Sequence, residues 1–134
     1  MNIEGNIREA GLGFVSAFFI LEKLGIEQLI SFLVDTGASR TTISDTDAEI
    51  INIEYSSLKK SPKPLVGIGG NCDAYIISNC YLFFKLGNSA HIEYLDYALV
   101  SKCPKRPIEQ SLLGMDILSR YKIYFLGKKI ILEQ

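Results

Sequence analysis

Hydrophobic residues in this chain fall in short runs broken by turn formers, a pattern that predicts strands rather than long helices. Phe14 to Leu21 (FVSAFFIL) is dense in aromatic and aliphatic side chains, Gly25 falls in a turn, and Leu29 to Val34 resumes the run. The two segments are expected to form a hairpin whose second arm delivers Asp35. Ser44 stands three residues before Asp47, as a helix N-cap would, and the helix is expected to be completed by Ala48 to Ile51. The alternating acids Asp45, Asp47 and Glu49 lack the central glycine and the length of a calcium loop, so they are read as first-turn acids of that helix.

Ser61 to Pro64 (SPKP) breaks the chain before Leu65-Val66-Gly67-Ile68-Gly69-Gly70, where three glycines in four residues predict a mobile turn between two arms. Ala74 to Leu86 and His91 to Val100 supply strand material on either side of Gly87-Asn88, with His91 read as an ordinary strand residue. Leu112-Leu113 reads as a buried strand end, Gly114 as a tight corner, and Met115 to Arg120 as one or two helical turns. Tyr121 to Phe125 and Lys129 to Glu133 form a terminal hairpin around Leu126-Gly127-Lys128. The sum is an all-β class with one or two short helices, in a single domain over residues 1–134.

Composition narrows the function classes. With 48% apolar residues, a chain of 134 has material for a proper core. A net charge of −1 gives no reason to expect nucleic acid or an anionic membrane as partner. The basic stretch Lys102 to Arg106 (KCPKR) is broken by a proline and reads as a turn. The longest apolar run, Gly11 to Leu21, is too short to span a bilayer, and Glu4 and Glu9 beside Arg8 do not make a signal peptide's positive start. Cys72, Cys80 and Cys103 form no CxxC pair, and His91 is the single histidine. No metal and no cofactor is therefore expected. Free thiols and a cytoplasmic location are the corresponding expectation.

The chemistry concentrates at Val34-Asp35-Thr36-Gly37-Ala38-Ser39. A carboxylate at a strand end is most often a cap or an ion-pair partner. Here Phe32, Leu33 and Val34 bury the approach, and burial disfavours a charge unless hydrogen bonds support it. Gly37 lets the backbone turn tightly and aim an N–H at the carboxyl, while Thr36 offers a short hydroxyl that can reach across an interface.

This VDTGAS stretch resembles the catalytic loop of retropepsin-like aspartic proteases. Further features occur in that family's chain order: a glycine-rich VGIGG (residues 66–70), LLG (112–114), a short helix (MDILSR) and a terminal strand. The LLGMDIL stretch and the hairpin after it look especially like the retropepsin domain of DNA-damage-inducible proteins. The similarity runs from about Phe14 to the end.

The resemblance implies a closed β-barrel with a flap hairpin. It also implies an aspartic endopeptidase in which Asp35 is catalytic and Thr36, Gly37 and Ala38 support the loop. Val66, Gly67, Ile68, Gly69 and Gly70 would form the flap, and Ala38, Ile68 and Leu113 would line the substrate pocket. Asp116 sits at a position that is structural in the family. With one such loop and no length for a second lobe, the second acid must come from another copy of the chain. The implied partners are thus a homodimer mate and an extended peptide.

The pattern departs from the retroviral members in two places. Ser39 and Met115 stand where those often carry an acid and an arginine, so dimer stability must come from elsewhere, with Tyr121 to Glu133 as the expected apolar interface. Ala38, in place of a hydroxyl residue, predicts a mildly acidic optimum; a pH–rate profile peaking near pH ~2 would contradict it. Residues 1–12 have no clear counterpart and are open as a flexible arm, an interface strand or a self-cleaved leader. Nucleotide-binding loops of actin-like folds and haloacid-dehalogenase phosphatases also place an acid after a strand. The first need a second phosphate loop and more chain; the second need an acid where Gly37 stands. A rival of another class is a catalytically weak dimeric peptide-binding or assembly module on the same fold.

Overall fold

The computed structural model describes residues 1–67 and 70–134. The strands are β1 (Asn2–Ile7), β2 (Gly13–Leu21), β3 (Ile26–Val34), β4 (Thr42–Ile43), β5 (Lys59–Lys60), β6 (Leu65–Gly67), β7 (Gly70–Leu86), β8 (Ser89–Lys102), β9 (Ser111–Leu113), β10 (Lys122–Leu126) and β11 (Lys129–Glu133). Two short helices, α1 (Asp45–Ile50) and α2 (Met115–Leu118), interrupt them. The all-β expectation holds.

The β2–β3 hairpin forms because alternate residues have a face to bury. Val15, Ala17 and Phe19 of β2 and Ile30 and Phe32 of β3 are buried, and the register pairs Val15 with Phe32 and Ala17 with Ile30. Gly25 closes the turn at φ 64°, a left-handed conformation that glycine adopts without steric cost. The other edge of β2 is divided. Its start pairs with β1, while Phe18 to Ile20 pair with Phe83 to Tyr81 of β7. The ladder β2–β3–β9–β4–β8–β7 therefore returns to β2 and closes into a barrel. Phe19, Phe32, Leu82, Phe84, Leu95, Leu113 and Ile117 fill it, each at most 1% exposed.

Ser44 caps α1 as expected, its hydroxyl accepting from the Asp47 N–H at 3.1 Å. The acids of α1 do more than serve its first turn. Asp45 accepts from the Ser101 hydroxyl and the Cys103 N–H, and Asp47 accepts from the Ser111 hydroxyl at 2.6 Å. Together they stitch α1 to β8 and β9.

Residues 1–12 are not a loose arm. β1 is hydrogen-bonded between β11 and β2, Ile3 is 2% exposed, and a Cβ on Gly5 would lie 2.0 Å from the Phe14 carbonyl oxygen. The terminal hairpin continues this sheet. β11 buries Ile130 and Leu132, while β10 is an edge strand that leaves Tyr124, Phe125 and Leu126 exposed.

The thiol expectation needs correction. Cys72 and Cys103 are joined in a disulfide, because the β7–β8 register sets Asp73 against Lys102 and so brings the flanking cysteines within 5.0 Å between Cα atoms. Only Cys80 is free among the described residues; it lies in the core, where burial pushes its thiol up to about 12. The cytoplasmic expectation, which leaned on unpaired thiols, loses that support. No helix of the described residues is long and apolar enough to cross a membrane. Reducing the bridge, or replacing both cysteines by serine, is expected to lower stability by about 3–4 kcal/mol for a separation of 31 residues. Urea unfolding with and without a dithiol reductant measures this.

His91 is a strand residue, as read, but a partnered one. It lies 2.8 Å from the Glu93 carboxylate, which also accepts from Tyr121 Oη at 2.8 Å and Arg120 at 2.6 Å. Burial alone would raise the Glu93 carboxyl; these three donors outweigh it and hold the group below the usual range.

Candidate active site

The loop after β3 is held from beneath by its parallel neighbour. β9 runs beside β3 with Leu33 opposite Leu112 and Val34 opposite Leu113, and the Asp35 N–H continues the ladder to the Leu113 carbonyl at 3.1 Å. Beyond the strand the chain turns, with the Ala38 N–H donating to the Asp35 carbonyl at 3.2 Å. Inside that turn the Gly37 N–H points at Asp35 Oδ1, 2.9 Å away. The carboxylate is half-buried with a backbone donor aimed at it, and Thr36 and Gly37 stand exposed alongside.

The start of α2 clamps the other end of the loop. The Met115 N–H donates to the Ala38 carbonyl at 2.8 Å and the Asp116 N–H to the Ser39 carbonyl at 3.2 Å. Gly114 makes this approach possible. A Cβ there would meet the Arg40 carbonyl carbon at 2.5 Å and the Ala38 carbonyl oxygen at 2.9 Å, both backbone atoms that cannot swing away. Gly114→Ala is accordingly expected to cost about 1–3 kcal/mol, seen as a lower thermal midpoint. An unchanged melting curve would show that the loop and α2 are not in fact tightly apposed.

Side chains complete the clamp. Asp116 accepts from the Thr41 N–H at 2.9 Å and the Thr41 hydroxyl at 2.8 Å, which fits the structural role expected for it. Arg40 lies over the Tyr97 ring at 3.6 Å and donates to Asp96 at 2.7 Å and to the Tyr97 carbonyl at 2.6 Å. That guanidinium contact holds the Asp96 carboxyl below its usual range.

In front of this loop lies a cleft of about 910 Å³. Asp35, Gly37 and Ala38 line it, as do Leu65 of β6, Leu99 of β8 and Leu112 of β9. Thr36 is not part of the lining. Of the glycine-rich segment, Val66 and Gly67 lie in β6 and pair with Asn71 and Gly70 of β7, giving two arms of a hairpin. Ile68, expected at the flap and in the pocket, and Gly69, expected at the flap, lie outside the described residues.

Leu113 does not reach the cleft. Successive strand residues face opposite sides, and Leu113 faces the core at 0% exposure, which leaves Leu112 as the residue of β9 that the cleft meets. The segment Cys103 to Ile108, with Gln110, is also part of the wall and was missed because KCPKR reads as a turn. The bracketing Pro104 and Pro107 were the available signal of a fixed arch.

An all-β barrel with an Asp-Thr-Gly loop clamped by a glycine corner and a short helix defines a retropepsin-like architecture. Comparison with known proteins agrees. Residues 27–120 match the family model "gag-polyprotein putative aspartyl protease", and the chain belongs to that retropepsin-like family. The crystal structure of a retropepsin-like aspartic protease from Rickettsia conorii aligns with a TM-score of 0.67 at 25% identity, covering 98% of this chain and 89% of that one. EIAV protease, solved in complex with the inhibitor HBY-793, shares the fold at a TM-score of 0.52 and 16% identity, with 84% of this chain and 90% of that one covered. A comparison with curated protein sequences found no match.

Proposed function

We propose that this chain is an aspartic endopeptidase that works as a homodimer, with the two Asp35 carboxylates meeting across a two-fold axis. The observation that carries the reading is the position of Asp35: half-buried, supported by the Gly37 N–H, and the sole acid in the described lining of a peptide-sized cleft. One loop supplies one carboxylate, and peptide hydrolysis by this chemistry needs two. A symmetric partner supplies the second without new sequence.

At a separation of about 3 Å the two carboxyls cannot both ionise cheaply, so they share one proton. The ionised member takes a proton from a bound water, whose oxygen attacks the scissile carbonyl. The protonated member hydrogen-bonds the carbonyl oxygen as negative charge develops there, and a proton passes to the leaving amine. Thr36, exposed on each loop, braces the two loops across the axis. The paired arms of β6 and β7, with Val66 and Gly67 against Asn71 and Gly70, fold over the substrate and exclude water. The peptide lies extended, its alternate side chains entering pockets that include Ala38 and Leu112. The exposed Tyr124, Phe125 and Leu126 on the β10 edge supply apolar contact between copies, in place of the ion pair that Ser39 and Met115 cannot form.

Incubating the purified protein with a mixed peptide library tests this. Cleavage products support the endopeptidase. Peptides retained by the protein but left intact would instead make it a dimeric peptide-binding module on the same fold.

A further inference from the structure

The wall of the cleft between β8 and β9 carries Lys105 and Arg106, set between Pro104 and Pro107. Among the described residues neither makes an ion pair, and both are exposed. The third cation of the lining, Arg40, is already paired with Asp96 and donates to the Tyr97 carbonyl, with Asp116 3.6 Å from its Nε. Asp35 is the one acid of the described lining. The cleft lining therefore holds two cations outside any described ion pair against a single carboxylate, with Glu109 exposed on the same segment but outside the lining, on a chain whose net charge is −1. The positive character is a local property of this wall.

The wall is also held in place. Cys103 is tied to Cys72 of β7 and to the Asp45 carboxylate, and the Ile108 carbonyl accepts from the Thr46 N–H at 3.3 Å. The Gln110 side chain donates to the Ser31 carbonyl at 2.7 Å. Two prolines fix φ within the span. Lys105 and Arg106 are thus presented on a short arch pinned at both ends, so less freedom is lost when they meet a ligand.

We infer that Lys105 and Arg106 make the cleft selective for peptides with an aspartate or glutamate close to the cleaved bond. This rests on reading the cleft as a peptide groove. Apolar residues enter beside Ala38 and Leu112, while an acidic side chain a position or more away meets the arch. An acidic residue gains Coulomb energy there; an amide of the same shape does not. For solvent-accessible pairs the gain is modest, roughly three- to tenfold for the two cations together, and it weakens with salt.

The test uses short peptides with a central apolar pair, in which each flanking position is in turn Glu or Gln. At low salt, one or more positions should show kcat/KM for Glu roughly three- to tenfold above Gln. That ratio should fall to about one in Lys105→Gln/Arg106→Gln, shrink in high salt, and invert in Lys105→Glu/Arg106→Glu. Equal rates for Glu and Gln at every position, or a Glu preference that survives in the double glutamine variant, would overturn the inference. Retention of the same peptides on immobilised Asp35→Asn protein gives a readout independent of turnover. If nothing is cleaved, the endopeptidase reading fails. The arch is then judged on retention alone: acidic bias lost in the double variant supports it, and no bias overturns it.

Discussion

Asparagine in place of Asp35 is expected to abolish peptide cleavage while leaving the fold and its melting behaviour intact. The amide has the shape of the carboxyl, and its oxygen still accepts the Gly37 N–H that Asp35 Oδ1 accepts at 2.9 Å. What it cannot do is take a proton from water and later return it, a role worth about 10²–10⁴ in rate. Because the proposed site is built from two copies, the variant should also poison the wild type. Equal amounts unfolded and refolded together leave about a quarter of the dimers with both carboxylates, so activity per wild-type chain drops by about half. A variant that keeps wild-type turnover, or a mixture whose activity is simply that of the wild-type chains added, would contradict a shared site.

Alanine in place of Asp116 should have the largest effect on stability, about 3–5 kcal/mol. The Asp116 side chain is 4% exposed and serves the Thr41 N–H, the Thr41 hydroxyl and the Ile117 N–H. It also lies 3.6 Å from Arg40 Nε, which is buried and has no hydrogen-bond partner. Truncation removes the carboxylate and strands the buried Thr41 N–H and hydroxyl away from water, while the Ile117 N–H keeps the Gly114 carbonyl at 3.1 Å; this is the costly way to lose a buried pair. Since Thr41 follows the Asp35 loop directly, the loop loosens as well. Urea unfolding measures the loss. A change below about 1 kcal/mol would mean that Asp116 behaves as an exposed partner rather than a buried clamp.

Much of this was readable in the chain because it is local. The Phe14 to Leu21 run and Gly25 specify a hairpin through alternation and a left-handed turn. Ser44 and Asp47 specify a cap through a three-residue spacing. Gly37 specifies a donor for Asp35 through the tightness of its own turn. What escaped depended on partners far along the chain. The Cys72–Cys103 bond follows from the β7–β8 register, which no spacing rule contains. Leu113 and Leu112 are equally apolar, and only the pairing of β9 with β3 decides which faces the core. β1 has too few apolar residues to look like a strand, and it is ordered by its neighbours on both sides. Lys102 to Arg106 read as a turn, and only the fold brings Lys105 and Arg106 to the cleft that Asp35 also lines.

If each chain carries half of the catalytic machinery, activity must follow assembly. Sedimentation of the purified protein alongside peptidase rate, followed across a dilution series, tests it most directly. Specific activity is expected to fall on dilution in step with the dimer fraction and to vanish where the chain sediments as a monomer. A monomeric species with undiminished specific activity would contradict it.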